Sequence, residues 1–304
     1  MRVLMAAPSS PARLHNLAPL AWALRTAGHD VKIAGRPSFV EEILRTSCVA
    51  VELESGDEAS LAESAALAEF AELWRPQVVV SDAGAPAGTA AARAVGAVAV
   101  RVLGALDEPD PGDADSAVDI TLDTVPPSLR AGSGPVRAVR HVPYFGPVVV
   151  PNWLRRKARR SRVLLSLTDE TMFGPVFDAV AEADFELVCA AEAARIPAGV
   201  AMPANVRLVD SAPPAALLPT CAAVVHDGDA ALALAAAAHG LPQLSLTESA
   251  IAPRIAAAGA GKTGSGAEVR TLAADEKLRR AANAVREEIA ALPAPRTVVA
   301  ELIR

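Results

Sequence analysis

Short, uninterrupted apolar runs recur along this chain, and each is followed by a segment of helical pattern. RVLMAA at Arg2–Ala7, QVVVSD at Gln77–Asp82 and AVAVRVLG at Ala97–Gly104 are too short for helices and too continuous to show one face to water. Strands that are apolar on both faces and separated by helices belong to a parallel sheet covered on both sides. DVKIAG and VAVELE read as two more such strands. LAPLAWALRTAG, from Leu17 to Gly28, reads as a helix closed by its glycine, and SLAESAALAEFAELWRP as one stopped before Pro76. A second series follows, through RVLLSLTD, FELVCAA, VRLVD, AAVVHD and PQLSL, with helices over FGPVFDAVAEAD and AALALAAAAHG. The pattern predicts an α/β protein of two doubly wound, Rossmann-like domains over 1–145 and 163–304. Between them, GPVVVPNWLRRKARRSR at 146–162 reads as a linker whose basic run is a solvated surface, and Trp153 as a domain-packing anchor. The segment from Leu272 to Arg304 reads as mostly helical and closes the second domain.

A chain of 304 residues can bury a core in each of two domains. Its net charge of -6 argues against nucleic acid, which needs a basic face for phosphates. No apolar stretch approaches the roughly 20 residues a membrane span needs, and no basic amphipathic run suggests a membrane surface. MRVLMAAPSS has only a five-residue apolar run, so it reads as a first strand and not a signal peptide. Cys48, Cys189 and Cys221 are odd in number and lie in apolar contexts, which fits buried thiols in a reduced cytoplasm.

VVHDGDAALALAAAAHGLPQLSL, from Val224 to Leu246, reads as strand, tight turn, helix and strand. A nucleotide's phosphates normally rest at such a turn, on the N–H groups and positive dipole of the helix. Here the turn carries Asp227 and Asp229. Asp169, Glu170, Asp227, Asp229 and Glu248 could converge at the strand ends of the second domain, and oxygen-rich clusters hold Mg²⁺ or Ca²⁺. The simpler expectation is that Asp227 and Asp229 cap the helix from Ala230 while Asp169 and Glu170 cap another, with no metal and no cofactor. No dinucleotide glycine turn, P-loop lysine, nucleophile elbow or Cys/His metal spacing is present. GAGKTGSG at Gly259–Gly266 reads as a loop. His29 and His239, beside helix-ending glycines, read as favourable charges, and His141 and Tyr144 as packing residues.

Six fragments in order resemble the bacterial antibiotic glycosyltransferases, which move deoxysugars from nucleotide diphosphates onto polyketide aglycones. They are PLAWALRTAGHDVKIAGRPSF (Pro19–Phe39), RPQVVVSDAGAPAGTAAARAVGA (Arg75–Ala97), TVPPSLR (Thr124–Arg130), VRHVPYFGPVVVPNWLR (Val139–Arg155), LPTCAAVVH (Leu218–His226) and HGLPQLSL (His239–Leu246). The resemblance implies two facing Rossmann-like domains, the GT-B arrangement, with a shortened N-terminal domain: LDEPDPGDADS (Leu106–Ser116) stands where the family has a long helical insertion.

The same resemblance places the family's catalytic base, a histidine in the loop after the first strand, at Arg13. Arginine stays protonated near neutral pH and cannot take a proton. His15 follows two residues later, and Asp82 matches the strand-end carboxylate that orients the base, so an Arg13–Asp82 ion pair is expected in place of a dyad. At the donor turn the family's second histidine is Asp227 and its next glycine Asp229, while His226 and Gly228 are kept. A Gly-Thr contact reads Thr168-Asp169-Glu170, and the Asp-Gln pair for sugar hydroxyls is absent, with only Glu248 near its place. These departures imply a family member without nucleotide-sugar transfer. It would bind a polyketide-like small molecule in an interdomain cleft and catalyse a cyclisation or isomerisation, with His15, Arg13, Asp82, His226 and Asp227 as acid/base candidates. A non-catalytic partner of another pathway enzyme and an active glycosyltransferase using His15 are the alternatives, and a homodimer is left open.

Overall fold

The computed structural model describes residues 1–53, 59–109, 118–210 and 213–302. In it every apolar run of the first half becomes a strand of one parallel sheet. The strands are β1 (Arg2–Ala6), β2 (Asp30–Gly35), β3 (Val49–Glu52), β4 (Val78–Asp82) and β5 (Val98–Leu103). Two further strands whose polar content hid them, β6 (Ile120–Asp123) and β7 (Arg137–Ala138), extend the sheet in the order β3-β2-β1-β4-β5-β6-β7, with β7 at its edge. Registers such as Met5 opposite Ile33 and opposite Val80 place β1 at the centre, where Val3, Leu4 and Met5 are fully buried. Burial of this kind stabilises by about 1.5–3 kcal/mol per large side chain.

Helices α1 (Pro11–Thr26), α2 (Val40–Arg45), α3 (Ala59–Trp74) and α4 (Ala87–Val95) cover the sheet. α1 begins earlier than the apolar pattern suggests, because Pro11 sits at its first position with φ already suited to a helix. Arg13 and His15, expected in a loop, therefore lie in the first turns of α1. Residues 110–116 of the acidic segment after β5 lie outside the described residues.

The second unit carries β8 (Ser161–Ser166), β9 (Phe185–Cys189), β10 (Val206–Leu208), β11 (Ala223–His226), β12 (Gln243–Ser245) and β13 (Gly261–Thr263). They form a second parallel sheet in the order β10-β9-β8-β11-β12-β13. Its helices are α5 (Phe173–Val180), α6 (Pro214–Leu217), α7 (Ala230–Ala238), α8 (Ala252–Ala257), α9 (Val269–Leu272) and α10 (Glu276–Ala291). β13 corrects the loop expected at GAGKTGSG: Lys262 pairs with Leu244, and the chain runs as an edge strand. Gly261 permits this, since a Cβ there would lie 2.6 Å from the Gln243 carbonyl oxygen.

By contacts the first unit comprises Met1–Pro126, Arg130–Pro147 and Leu292–Arg304, and the second Pro127–Leu129 and Val148–Ala291. The tail thus groups with the first unit and not with 163–291. Its helix α11 (Pro295–Leu302) places Val298, Val299 and Leu302 in the core shared by Leu17 and Leu20 of α1, and the Arg140 N–H donates to the Pro293 carbonyl at 2.8 Å.

The close approach of α4 to the sheet gives a test of sign. Alanine is the better helix former by about 1 kcal/mol. A Cβ on Gly88, however, would lie 2.6 Å from the Ser81 Cβ and 3.2 Å from the Ala6 Cβ. Overpacking of this kind costs about 1–3 kcal/mol, so Gly88→Ala lowers the urea midpoint of unfolding instead of raising it.

Candidate functional site

Parallel strands with covered faces expose polar chemistry at their C-terminal ends. In the first unit, Arg13 of α1 sits between two carboxylates. Its Nη1 donates to Asp82 Oδ1 at 2.6 Å and to Asp107 Oδ2 at 2.9 Å, and its Nη2 donates to Asp107 Oδ1 at 2.9 Å. Asp82, at the end of β4, also accepts the Gly84 N–H at 2.7 Å, and Asp107 accepts the Gly104 N–H at 2.7 Å. The Arg13–Asp82 pair expected from the sequence is present, and Asp107 completes a forked, charge-assisted contact. Asp107 belongs to the acidic segment that read only as a loop. Nothing local singled it out, because its partner Arg13 lies 94 residues away.

Hydrogen bonding to Asp107 raises the Arg13 guanidinium above its usual value, beyond any role as a base. Burial pushes the Asp82 carboxyl up despite Arg13, whereas burial of Asp107 is outweighed by its bonds from Arg13 and Gly104, which hold it below the usual range. The second oxygen of Asp82, Oδ2, is buried and has no hydrogen-bond partner.

His15 does not join this group. Positions two apart on a helix point to different faces. Its ring meets Tyr144 edge-on at 4.9 Å, and its Nε2 lies 3.3 Å from Glu42 Oε1 of α2 without hydrogen-bond geometry. Burial holds its imidazole below the usual value. Tyr144 also packs edge-on against Trp22 at 4.8 Å. One cavity of this unit, about 350 Å³, lies at the ends of β1 and β2 and the start of α4. It is walled mainly by small apolar groups, among them Ala6, Pro8, Gly35, Leu53, Leu67 and Pro86.

In the second unit, His226 ends β11 and is 1% exposed. Its Nδ1 accepts the Gly228 N–H at 3.1 Å, and its Nε2 lies 3.3 Å from Gln243 Oε1, whose amide in turn donates to the Ala233 carbonyl at 3.0 Å. These partners assign the neutral tautomer with the proton on Nε2. Burial keeps that imidazole below its usual value. Gln243, the polar residue inside the buried strand PQLSL, was the overlooked partner.

Asp229 caps α7, accepting the N–H groups of Ala231 and Leu232 at 2.9 and 3.0 Å. Asp227 does not share that task, contrary to the sequence expectation. Its Oδ2 reaches across to the loop after β8, taking the Thr168 N–H, the Thr168 hydroxyl at 2.6 Å and the Asp169 N–H at 3.0 Å. Burial opposes this carboxylate, but the Thr168 and Asp169 donors outweigh it and hold Asp227 below the usual range. Gly228 between the two acids has φ +104, and a Cβ there would lie 2.6 Å from the Ser249 Cβ, so the turn requires glycine. Asp169 caps the short turn Glu170–Met172, and Glu170 pairs with Arg195 at 3.2 Å. Among the described residues no three His, Cys, Asp or Glu side chains group as a metal site.

Comparison with known proteins gives this geometry a setting. Residues 60–168 match the N-terminal domain, and residues 175–304 the C-terminal domain, of the family described as erythromycin biosynthesis protein CIII-like. The chain is similar to the aclacinomycin-T 2-deoxy-L-fucose transferase of Streptomyces galilaeus, 30% identical over 80% of this chain and 79% of that protein. It is also similar to the TDP-daunosamine transferase of Streptomyces peucetius, 29% identical over 99% of this chain and 96% of the relative. That second alignment spans 414 positions against 304 residues here, so about a quarter of it has no counterpart in this chain. Among solved structures, the glycosyltransferase SnogD of Streptomyces nogalater superposes with a TM-score of 0.88 at 26% identity, covering 100% of this chain and 98% of that one. The glycosyltransferase VinC, solved in complex with dTDP, gives 0.87 at 30%, covering 100% and 99%. These matches establish the two Rossmann-like domains expected from the sequence.

Two pH effects follow from the geometry. All five histidines, His15, His29, His141, His226 and His239, are held below the usual value by burial, His141 down to about 4. His29 and His239 are therefore neutral near pH 7, not the helix-end charges expected. Each histidine contributes stability that is present above its unfolded value of about 6.5 and lost as pH falls through the folded one. The melting temperature therefore drops between about pH 6.5 and 4.

Asp82 runs the other way, because its folded pKa is raised and its charged form is the costly one. Arg13→Ala removes the counter-charge from a side chain with 0% exposure. It lowers stability by about 3 kcal/mol near neutral pH. That deficit shrinks as pH falls through the folded pKa of Asp82, which urea unfolding at pH 5 and 7.5 measures.

Proposed function

The chain belongs to the erythromycin biosynthesis CIII-like glycosyltransferase family, and from that premise we propose that it serves a polyketide pathway without transferring a nucleotide sugar. The observation that carries this reading is the Asp227 carboxylate seated on the Thr168 and Asp169 N–H groups. Those donors, together with the N-terminus of α7 that Asp229 caps, are where a diphosphate would find its bonds. Both sets already hold an internal anion. A phosphate brought beside Asp227 meets repulsion of about 1–4 kcal/mol, and displacing the carboxylate also breaks its own hydrogen bonds. Arg13, standing where a base is needed and held by two carboxylates, supports the same reading from the other unit.

What the chain retains is an apolar cavity in the first unit, within the size range of small-molecule sites, which suits a polyketide-like ligand. Of the five acid/base candidates, Arg13, His226 and Asp227 are engaged by protein partners, and His15 is packed against Tyr144. A cyclisation or isomerisation on the bound ligand would rest on Asp82, whose Oδ2 has no hydrogen-bond partner and whose raised pKa suits proton transfer. The engagement of the other four favours a second reading, a non-catalytic partner of another enzyme in the pathway.

Calorimetric titration with thymidine diphosphate, with and without Mg²⁺, tests the proposal. The expected result is no heat of binding up to about 1 mM ligand. An Asp227→His, Asp229→Gly double variant, which frees both sets of N–H groups, then gains measurable affinity. Micromolar binding by the unaltered chain would restore sugar transfer as its function.

A further inference from the structure

The basic run after Gly146, which the sequence presents as a solvated linker, forms one wall of a groove of about 820 Å³ in the second unit. The groove lies at the N-terminal ends of β8, β9 and β10, on the opposite edge of the sheet from Asp227. We propose that it is a docking site for an acidic segment of another protein, whose Asp and Glu side chains enter it.

Its floor is assembled and not fortuitous. Arg162 Nε donates to Glu186 Oε2 at 2.8 Å, and Arg207 Nε donates to Glu186 Oε1 at 2.6 Å. The two guanidiniums lie over the Trp153 ring, 5.1 and 4.9 Å from its centroid. Trp153 thus stacks with cations of β8 and β10. Each arginine commits its Nε to Glu186, and among the described residues the terminal Nη atoms donate to no protein acceptor. A carboxylate entering the groove meets these donors already aligned, with little side-chain entropy left to lose.

Arg156, Lys157 and Arg159 line the same groove, are exposed, and make no ion pair with a described residue. The groove is strongly positive on a chain whose net charge is -6, so an acidic partner is steered to this face while the rest of the surface repels it. Arg162 is only 5% exposed, so its donors are reached by an extended side chain and not by a flat lipid surface.

Anisotropy of a fluorescein-labelled octapeptide of alternating Asp and Glu measures the site in the full chain. The expected result is binding that is absent with the matching Asn/Gln peptide and weakens with salt. Combining Arg156→Ala, Lys157→Ala and Arg159→Ala weakens it by roughly tenfold, three exposed pairs at about 0.5 kcal/mol each. Combining Lys277→Ala, Arg279→Ala and Arg280→Ala on α10 leaves it unchanged, and all six side chains are exposed, which spares the fold. Absence of acidic-peptide binding, equal loss in both triple variants, or tighter binding to a single-stranded oligonucleotide or to phosphatidylserine vesicles would each overturn the proposal.

Discussion

A parallel sheet covered on both faces gives its strands no contact with water along their length, so ionisable groups collect at strand ends. That constraint organises both units of this protein. Asp82 and His226 terminate β4 and β11, and each is buried. Each must therefore find partners within reach of its own loop or suffer the cost of an unsatisfied charge or dipole. Asp82 finds Arg13 and Gly84, and His226 finds Gly228 and Gln243.

The two edges of the second sheet carry opposite charge. Asp169, Asp227 and Asp229 gather where β8 and β11 end, while Arg162 and Arg207 stand where β8 and β10 begin. Acids at the first edge consume backbone donors, and at the second a single acid, Glu186, aligns two cations whose outer nitrogens stay open. One elementary rule underlies both proposed behaviours, that a donor already satisfied attracts little.

The strands of both sheets were legible wherever an apolar run was continuous, because burial on both faces leaves that mark in one dimension. Asp229 as a cap was legible too, since a cap acts on N–H groups two and three residues away. Asp227 was misassigned because its partners, Thr168 and Asp169, are 59 and 58 residues distant. Asp107, 94 residues from Arg13, was overlooked for the same reason. β13 escaped because a strand of three residues bracketed by glycines has no periodicity to detect, and only its pairing with β12 defines it. Trp153 read as an anchor from its place after prolines, while its ring partners lie on β8 and β10.

The return of α11 to the first unit has a consequence for how the chain matures. Val298, Val299 and Leu302 share a core with Leu14 and Leu17, so the apolar face of α1 is completed by a segment far beyond it in the chain. A chain emerging from its N-terminus can pair β1 with β2 early, yet α1 keeps an apolar face uncovered until α11 has followed. Contacts of such long sequence separation form slowly and leave sticky surface exposed in the meantime. The nascent first unit therefore carries an uncovered apolar face while the whole second unit is made, and losing α11 would leave that face bare.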